Sequence, residues 1–212
     1  MAKLQTFQQI RQLTVAQQGV LAAWLCERMV PNYQLFSKSC EFGDAKVLRG
    51  ALDAAWLRLS TGQGSNWERW QEKLEEVTPS DQQFDVLGVY PAIAACTALS
   101  SLLQGLAEQD SQALLDVAKI SQSSVAHFIE LTELAELPNH EARQAALAEH
   151  ELYLYEVANQ QDQVAALAQA RVDKTLVREV RQQVRAEGHS NLGFVLPEAP
   201  TADGTTDSVP DH

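Results

Sequence analysis

Seven charged and polar residues lie beside strongly apolar segments in the first half of the sequence, and their side chains are of the types that form binding sites. Arg49 and Asp53 are four residues apart in a helical pattern, and side chains at this spacing face each other. We favour an ion-pair network with Glu27 and Arg28 that joins two helices. The alternative is a polar pocket beside the turn at Tyr90, in which the guanidinium of Arg49 would bind a carboxylate or a phosphate. The predicted cluster consists of Glu27, Arg28, Tyr33, Asp44, Arg49, Asp53 and Tyr90.

Basic residues recur at steps of three and four near the C-terminal end of the sequence, so they share one face of a predicted helix. We predict that this face is solvated. The alternative is a docking surface for an acidic partner, for a nucleic acid or for the acidic tail of the chain itself. A nucleic acid is the weakest of these, because the chain is acidic and no aromatic residues lie among the basic ones. This basic stripe consists of Arg171, Lys174, Arg178, Arg181 and Arg185.

The other reactive residue types do not form a catalytic or metal-binding motif. The cysteines, Cys26, Cys40 and Cys96, are too far apart in the sequence for a zinc ribbon or a redox pair. No histidine has a glutamate three residues before it, which is the spacing of di-iron helical bundles. No Walker motif and no complete dinucleotide-binding glycine motif occurs. We therefore predict no catalytic residues, no metal site and no cofactor, and we lean toward a protein that is not an enzyme.

An uncharged stretch near the middle of the sequence is the element that must hold these residues in place. No charged side chain occurs between Asp85 and Glu108, and apolar groups from Ala92 to Leu103 cover the whole circumference of a helix. A helix of this kind is usually buried by other helices on all sides. We predict a buried central helix over about residues 91–106 rather than a membrane span, because alanine, serine and glycine dilute its apolar content.

Apolar residues at helical spacing divide the rest of the chain into further helices. Thr14 and Gln17 have the spacing of a capping box, and Asn66 is a predicted helix cap. Pro31 is predicted to end the second helix, because proline lacks an amide hydrogen and clashes with the preceding turn. The segment 159–162 is the predicted interruption of a long stretch without glycine or proline. The predicted fold is all-α, a single-domain bundle of about seven to nine helices around the central helix.

Length and composition favour one domain, since 212 residues that are 45% apolar can build one sizeable core. We predict an all-helical domain over residues 1–196 and a disordered acidic tail over residues 197–212, because the tail has no apolar periodicity. The odd number of cysteines and the lack of a signal-peptide pattern predict a cytoplasmic protein. The net charge of −12 favours solubility and opposes broad contact with a polyanion.

Four short groups of residues occur together in a fixed order along the chain. They are LCERMVPNY at 25–33; FGD at 42–44 with Arg49, Leu52, Asp53 and Trp56; FD at 84–85 with GVYPAI at 88–93, AC at 95–96 and AL at 98–99; and EG at 187–188 with SNLG at 190–193. In this order and spacing they resemble the YjaG-like family, bacterial proteins grouped under a domain of unknown function. The resemblance covers roughly residues 4–196. It implies an all-helical cytoplasmic protein and brings no established activity.

The function predicted from the sequence is a non-enzymatic role in protein interaction or as a scaffold. The predicted partners are an unknown protein or a second copy of the chain, and no membrane is expected. An alanine-rich helix around Tyr153 and Tyr155 is predicted either to form an interface or to pack inside the protein. The alternative is a small-molecule-binding protein, or an enzyme of unrecognised type, with a polar pocket near Arg49 and Tyr90. An interaction protein exposes a broad apolar patch, whereas a ligand-binding protein encloses a pocket with converging polar groups.

Overall fold

The chain folds as a bundle of α-helices, as the sequence predicts. The structure is a computed structural model that describes residues 2–195, with side chains described from residue 5 onward. Within this range it contains nine helices and a single isolated β-bridge, between His189 and Val195. The predicted tail, residues 197–212, lies outside the described residues. The helices are α1 (Ala2–Gln12), α2 (Val15–Cys40), α3 (Ala45–Thr61), α4 (Trp67–Val77), α5 (Val89–Glu108), α6 (Ser111–Thr132), α7 (His140–Glu149), α8 (Glu151–Ala168) and α9 (Lys174–Glu187).

Helix α5 occupies the centre of the bundle and packs against α2, α3, α4 and α6. It is long and apolar enough to cross a membrane by length and composition, but 61% of its most apolar 18 residues are buried inside the protein. Leu99, Leu102 and Leu103 are fully buried. The expectation of burial on all sides needs one correction. The strip that contains Tyr90 and Thr97 is exposed, because α6 covers only part of that face.

Helix α2 is longer than the sequence predicts. The helix continues through Pro31 and ends at Cys40, so the predicted end at this proline is wrong. A proline inside a helix removes one hydrogen bond and clashes with an earlier carbonyl, at a cost of about 3 kcal/mol. Burial on both sides of the proline offsets this cost, since Met29, Tyr33 and Phe36 all lie in the core. Tertiary packing therefore decides the length of α2.

The helix caps follow the local signals of the sequence. The hydroxyl of Thr14 accepts a hydrogen bond from the amide of Gln17, and the side chain of Gln17 accepts one from the amide of Thr14. This is the predicted capping box. The side chains of Asn66 and Asn139 accept hydrogen bonds from the amide three residues farther along the chain. These caps depend only on near neighbours in the sequence.

Residues 140–187 contain no glycine or proline, and the helices in this stretch are interrupted at positions other than the predicted one. Helix α8 runs straight through residues 159–162, and the breaks lie at His150 and over residues 169–173. The prediction fails because polarity in this segment does not mark a loop. Gln160 is fully buried, and its side chain donates a hydrogen bond to the carboxylate of Glu156.

Candidate functional site

Three residues of the predicted polar cluster meet at the surface between α2 and α3. The carboxylate of Glu27 accepts two hydrogen bonds from Nη1 of Arg49, at 2.8 and 2.9 Å. The carboxylate of Asp53 lies 3.7 Å from the same nitrogen. The indole nitrogen of Trp56 donates a third hydrogen bond to Glu27, at 2.8 Å. The guanidinium of Arg49 is therefore held by acids of the chain itself.

Helix α9 completes this group, which we call the surface ion-pair cluster. Arg185 donates hydrogen bonds to Glu27 at 3.1 Å and to Asp53 at 2.8 Å. Arg181 donates one to Asp53 at 2.6 Å. The cluster thus joins α2, α3 and α9, although the acids and the arginines of α9 lie far apart in the sequence.

The basic stripe is divided between two environments. Arg181 and Arg185 belong to the surface ion-pair cluster, so they bind acids of the chain and are not a free docking surface. Arg171, Lys174 and Arg178 are exposed and form no ion pair with the residues that the structure describes. The sequence does not reveal this division, because the acids that bind α9 come from helices more than a hundred residues earlier.

Arg28 lies next to Glu27 in the sequence but points into the bundle. Its guanidinium is almost fully buried and donates a hydrogen bond to the carboxylate of Glu156 at 2.6 Å. The other oxygen of Glu156 accepts hydrogen bonds from Ser121 at 2.7 Å and from Gln160 at 2.8 Å. We call this group the buried polar network. It joins α2, α6 and α8 in the interior of the protein.

The segment after α9 closes this network. The backbone amide of Asn191 donates a hydrogen bond to the carbonyl oxygen of Arg28 at 2.9 Å. The side-chain oxygen of Asn191 accepts one from Asn32 at 2.8 Å, and its nitrogen donates to the hydroxyl of Ser121 at 3.3 Å. The sequence analysis missed Glu156, Ser121 and Asn191, since nothing local distinguishes these buried polar residues from exposed ones.

Tyr33 and Asp44 take structural roles away from the other residues of the predicted cluster. The hydroxyl of Tyr33 donates a hydrogen bond to the carbonyl oxygen of Val77 at 2.8 Å, and burial raises the pKa of this phenol. The carboxylate of Asp44 caps α3 by accepting a hydrogen bond from the amide of Lys46. Gly43 lies between them with a φ of +68°, and a Cβ there would overlap the Tyr33 hydroxyl. The turn therefore requires glycine.

The buried thiols are not poised for nucleophilic chemistry. Burial raises the pKa of Cys96 to about 12, and it raises the pKa of Cys26 as well. The thiolate is the reactive form of cysteine, so both side chains remain protonated at neutral pH and pack as small apolar groups. Among the described residues, no group of three or more histidine, cysteine, aspartate or glutamate side chains is placed to hold a metal ion.

Two cavities open near the N-terminal end of α5. The larger, of about 580 Å³, follows the contact between α5 and α6, and both Tyr90 and His127 line it. The rings of these two residues touch edge to face, with centroids 4.9 Å apart. Arg49 does not line this cavity. The predicted pocket shared by Arg49 and Tyr90 is therefore not formed, because the guanidinium of Arg49 is bound to Glu27 instead.

The smaller cavity, of about 340 Å³, lies between the C-terminal half of α2, the turn before α5 and the ring of Phe128. We call it the α2–α5 cavity. Exposed aliphatic side chains surround its mouth, at Leu35, Val86 and Leu87. We call these three residues the apolar rim. The sequence analysis missed the rim; its only signal is the pair of aliphatic residues in a turn between Asp85 and the next helix.

Helix α8, the predicted interface helix, presents its two tyrosines differently. Tyr153 is buried, whereas Tyr155 and its neighbour Leu154 are about half exposed. Only one of the two predicted tyrosines is therefore accessible to another molecule.

Comparison with known proteins assigns the chain to a family. The family described as "Protein of unknown function (DUF416)" matches residues 5–195. The chain belongs to the DUF416 family. The predicted resemblance to YjaG-like proteins is confirmed by the relatives. The protein named "Uncharacterized protein YjaG" from Escherichia coli (strain K12) is 34% identical over 179 residues, which cover 83% of this chain and 89% of the relative.

Two further relatives agree with this assignment. A protein from Haemophilus influenzae named "Uncharacterized protein" is 30% identical over 176 residues, which cover 81% of this chain and 87% of the relative. The crystal structure of a DUF416 family protein from Shewanella baltica OS155 is similar with a TM-score of 0.84 and 33% identity. The similarity covers 90% of this chain and 98% of that chain.

The residue groups that carried the resemblance are in contact in this DUF416 protein. The segment 25–33 contributes Glu27 to the surface ion-pair cluster and Arg28 to the buried polar network. The segment 187–193 contributes Asn191 to the same network. The ring of Phe84, before α5, packs on the C-terminal end of α2. The four groups thus form one connected region around α2.

Proposed function

We propose that this DUF416 protein is a non-enzymatic, cytoplasmic protein-binding protein, and that its docking surface is the apolar rim of the α2–α5 cavity. One observation carries the proposal: three exposed aliphatic side chains surround the mouth of one cavity. Leu35, Val86 and Leu87 are 41%, 46% and 41% exposed. Single exposed apolar residues are ordinary, but a group of them beside a cavity is typical of an interaction site.

The turn that carries two of the three rim residues, Val86 and Leu87, is held in place by its packing. The ring of Phe84 lies edge to face against Phe36 and Phe42, with centroids 5.2 and 5.0 Å apart. The amide of Val89 donates a hydrogen bond to the carbonyl of Val86 at 3.0 Å. A surface that is already ordered loses little conformational entropy on binding. The rim is therefore suited to hold a partner segment.

The charges around the cavity indicate the chemistry of the partner. The residues next to the lining residues in the sequence include the acids Glu41 and Asp85 and the lysine Lys38, and none of these side chains lines the cavity. The whole chain has a net charge of −12. Complementary charge steers association and disfavours partners of like charge. We therefore propose as occupant an apolar segment of another protein that is flanked by basic residues. A second copy of the chain, which the sequence also predicts, is the competing occupant.

Site-specific crosslinking tests this proposal. A photo-crosslinking amino acid at Leu87 is expected to trap a partner segment in cells, whereas the same amino acid at Leu57 is the matched control. Leu57 lies on α3, is 47% exposed and does not line the cavity. A synthetic peptide of the trapped segment is then titrated by calorimetry. Leu87→Glu is expected to weaken its binding by at least about tenfold, and Leu57→Glu to leave it unchanged.

Three results would contradict the proposal. The first is equal crosslinking at the two positions, and the second is a peptide whose affinity is insensitive to Leu87→Glu. The third is crosslinking only to this chain, either within one molecule or between two copies. That result would support the homodimer or the tail as the occupant instead.

A small-ligand role is the second candidate function, and one observation favours it. The larger cavity, of about 580 Å³, has a mostly apolar lining with a few polar side chains, among them Thr97, Ser124 and His127. A cavity of this size and lining is typical of a small-ligand site. Native mass spectrometry of gently purified protein separates the two functions, because a ligand-binding protein retains a small molecule of constant mass. Loss of that mass in Ser124→Val would assign it to this cavity.

A further inference from the structure

We propose that the acidic tail, residues 197–212, binds the exposed basic residues around the N-terminal half of α9 in the same molecule. These residues are Arg171, Lys174 and Arg178, and we call them the exposed basic patch. The inference goes beyond the proposed function, because the patch and the apolar rim share no residue and lie on different elements. It assigns an occupant to the part of the basic stripe that does not enter the surface ion-pair cluster.

The cations of the exposed basic patch lie in an unfavourable electrostatic environment. Each is exposed and forms no ion pair with the part of the chain that the structure describes. Lys174 and Arg178 are four residues apart in α9, and like charges at this spacing destabilise a helix. Lys174 is also the first residue of α9, where the helix dipole disfavours a cation. A bound anion would therefore reduce repulsion within the patch as well as add attraction.

The acids beside the patch do not neutralise it. The carboxylate of Asp173 caps α9 by accepting hydrogen bonds from two backbone amides of the first turn, both at 2.9 Å. Glu179 directly follows Arg178, and neighbouring residues of a helix point about 100° apart. Arg58 adds a further cation from α3, since it lines the same cavity as Val172. The patch is therefore a basic surface on a chain whose net charge is −12.

The tail has the complementary charge. Its acids are Glu198, Asp203, Asp207 and Asp211, and it contains no lysine or arginine. Exposed ion pairs contribute little individually, so a separate acidic peptide would bind such a patch weakly. A segment of the same chain is held near the patch at a high effective concentration, which makes weak pairs sufficient. Charge and connection together favour the tail over an acidic segment of another protein.

The tail begins at the C-terminal end of α9 and is long enough to reach the patch. An antiparallel bridge joins Val195 to His189, two residues after α9 ends, so the chain at Val195 runs opposite to its direction at His189. Lys174 lies about 20 Å back from the end of α9. Asp203 and Asp207 follow Val195 by eight and twelve residues, and chains of these lengths span at most about 26–29 and 40–43 Å. Both acids can therefore reach the patch.

Paramagnetic relaxation in the full chain tests this contact. A nitroxide is attached to Ser208→Cys, next to Asp207, in a Cys40→Ser background, because the other two cysteines are buried. We expect the amide signals of residues 171–178 to broaden at low salt. Raising the salt to about 1 M, where the Debye length is about 3 Å, is expected to reduce the broadening at least about threefold. No broadening, or broadening centred on Leu87 instead, would overturn the inference.

Charge reversal assigns the contact to the patch. Lys174→Glu combined with Arg178→Glu is expected to abolish the broadening. Arg69→Glu combined with Lys73→Glu is the matched control, because it has the same spacing and the same change in net charge on α4, which packs against α3 and α5. The control is expected to leave the broadening unchanged. Equal broadening in the two double variants would place the tail elsewhere.

The reciprocal change keeps the test valid even if the patch variant disturbs α9. Asp203→Lys combined with Asp207→Lys leaves α9 untouched and is also expected to abolish the broadening. The two double variants together restore opposite charges and are expected to restore it. If they do not, the contact does not depend on complementary charge and the inference fails.

A mixed sample separates contact within one molecule from contact between two. It combines isotope-labelled chains that lack the nitroxide with unlabelled chains that carry it. We expect no broadening of residues 171–178 in this mixture. Broadening as strong as in the doubly labelled chain would overturn binding within the same molecule and assign the tail to the patch of a second copy.

Discussion

Glu27 and Arg28 are adjacent in the sequence, carry opposite charges, and enter two different groups of ion pairs. Neighbouring residues in a helix point about 100° apart, so the two side chains meet different helices. Glu27 binds arginines that are 30% and 40% exposed. Arg28 binds Glu156, and both of those side chains are almost completely buried. The comparison indicates that the stability lost when one member of an ion pair is removed depends on how exposed the remaining member is. It does not depend mainly on the number of hydrogen bonds in the pair.

The reason is the solvation of the charge that remains. When a surface pair is broken, water replaces the missing partner, and exposed pairs typically contribute about 0–1 kcal/mol. When a buried pair is broken, the remaining charge has neither a partner nor water, at a cost of about 3–5 kcal/mol. The surface ion-pair cluster and the buried polar network therefore respond differently to substitutions of the same kind.

The largest effect is expected in the buried polar network. Glu156→Gln keeps the shape of the side chain but leaves the guanidinium of Arg28 buried without an opposite charge. We expect the free energy of unfolding to fall by about 3–5 kcal/mol, measured by urea denaturation. The double variant Arg28→Met with Glu156→Leu removes both charges and is expected to recover much of this loss. A loss below about 1 kcal/mol in the single variant would remove the distinction between the two groups.

An intermediate effect is expected at Glu27, which is buried although its two arginine partners are partly exposed. Glu27→Ala removes the acceptor of the Trp56 indole N–H and leaves Arg49 to water. We expect a loss of about 1.5–3 kcal/mol, the range for hydrogen bonds to a charged group. Trp56→Phe in the otherwise wild-type chain measures the part of this stability loss that is due to the indole hydrogen bond. A loss as large as that of Glu156→Gln would show that partner exposure is not the deciding variable.

The smallest effect is expected at Asp53, whose partners are the half-exposed arginines of α3 and α9. Asp53→Asn is expected to lower the free energy of unfolding by at most about 1 kcal/mol, and added salt is expected to reduce the difference from the wild type. Asp116→Asn is the matched control, since the Asp116–Lys119 pair has similar exposure but Asp116 has only one cationic partner among the described residues. Insensitivity to salt would indicate that Asp53 acts through hydrogen bonding rather than charge.

The parts of the fold that depend on near neighbours follow from the sequence. The capping box at Thr14 and the central helix α5 are predicted correctly, because capping and helix polarity are local properties. The path of α2 through Pro31 is not predictable in this way. The local cost of the proline is known from the sequence, but the burial that offsets it depends on helices that arrive from later in the chain.

The candidate site also contains contacts that follow from near neighbours in the sequence and contacts that do not. Helical spacing and apolar context are enough to predict the pairing of Arg49 with Asp53 and Glu27. They do not predict the binding of Asp53 by the arginines of α9, since Arg181 lies 128 residues away in the sequence. Tyr90 does line a cavity, but with His127 rather than with Arg49. The sequence identifies residue types suited to a site, and the packing of helices decides which of them meet.

The contact between Asn191 and α2 also constrains the order of events during synthesis. The hydrogen bond between the side chains of Asn32 and Asn191 spans 159 residues. All nine helices of the described chain and the segment that carries Asn191 must therefore leave the ribosome before this bond forms. A nascent chain that has emerged only as far as α8 already contains Arg28 and Glu156, but it lacks the segment that seals them from water. Completion of the buried polar network thus waits until the segment after α9 has been synthesised.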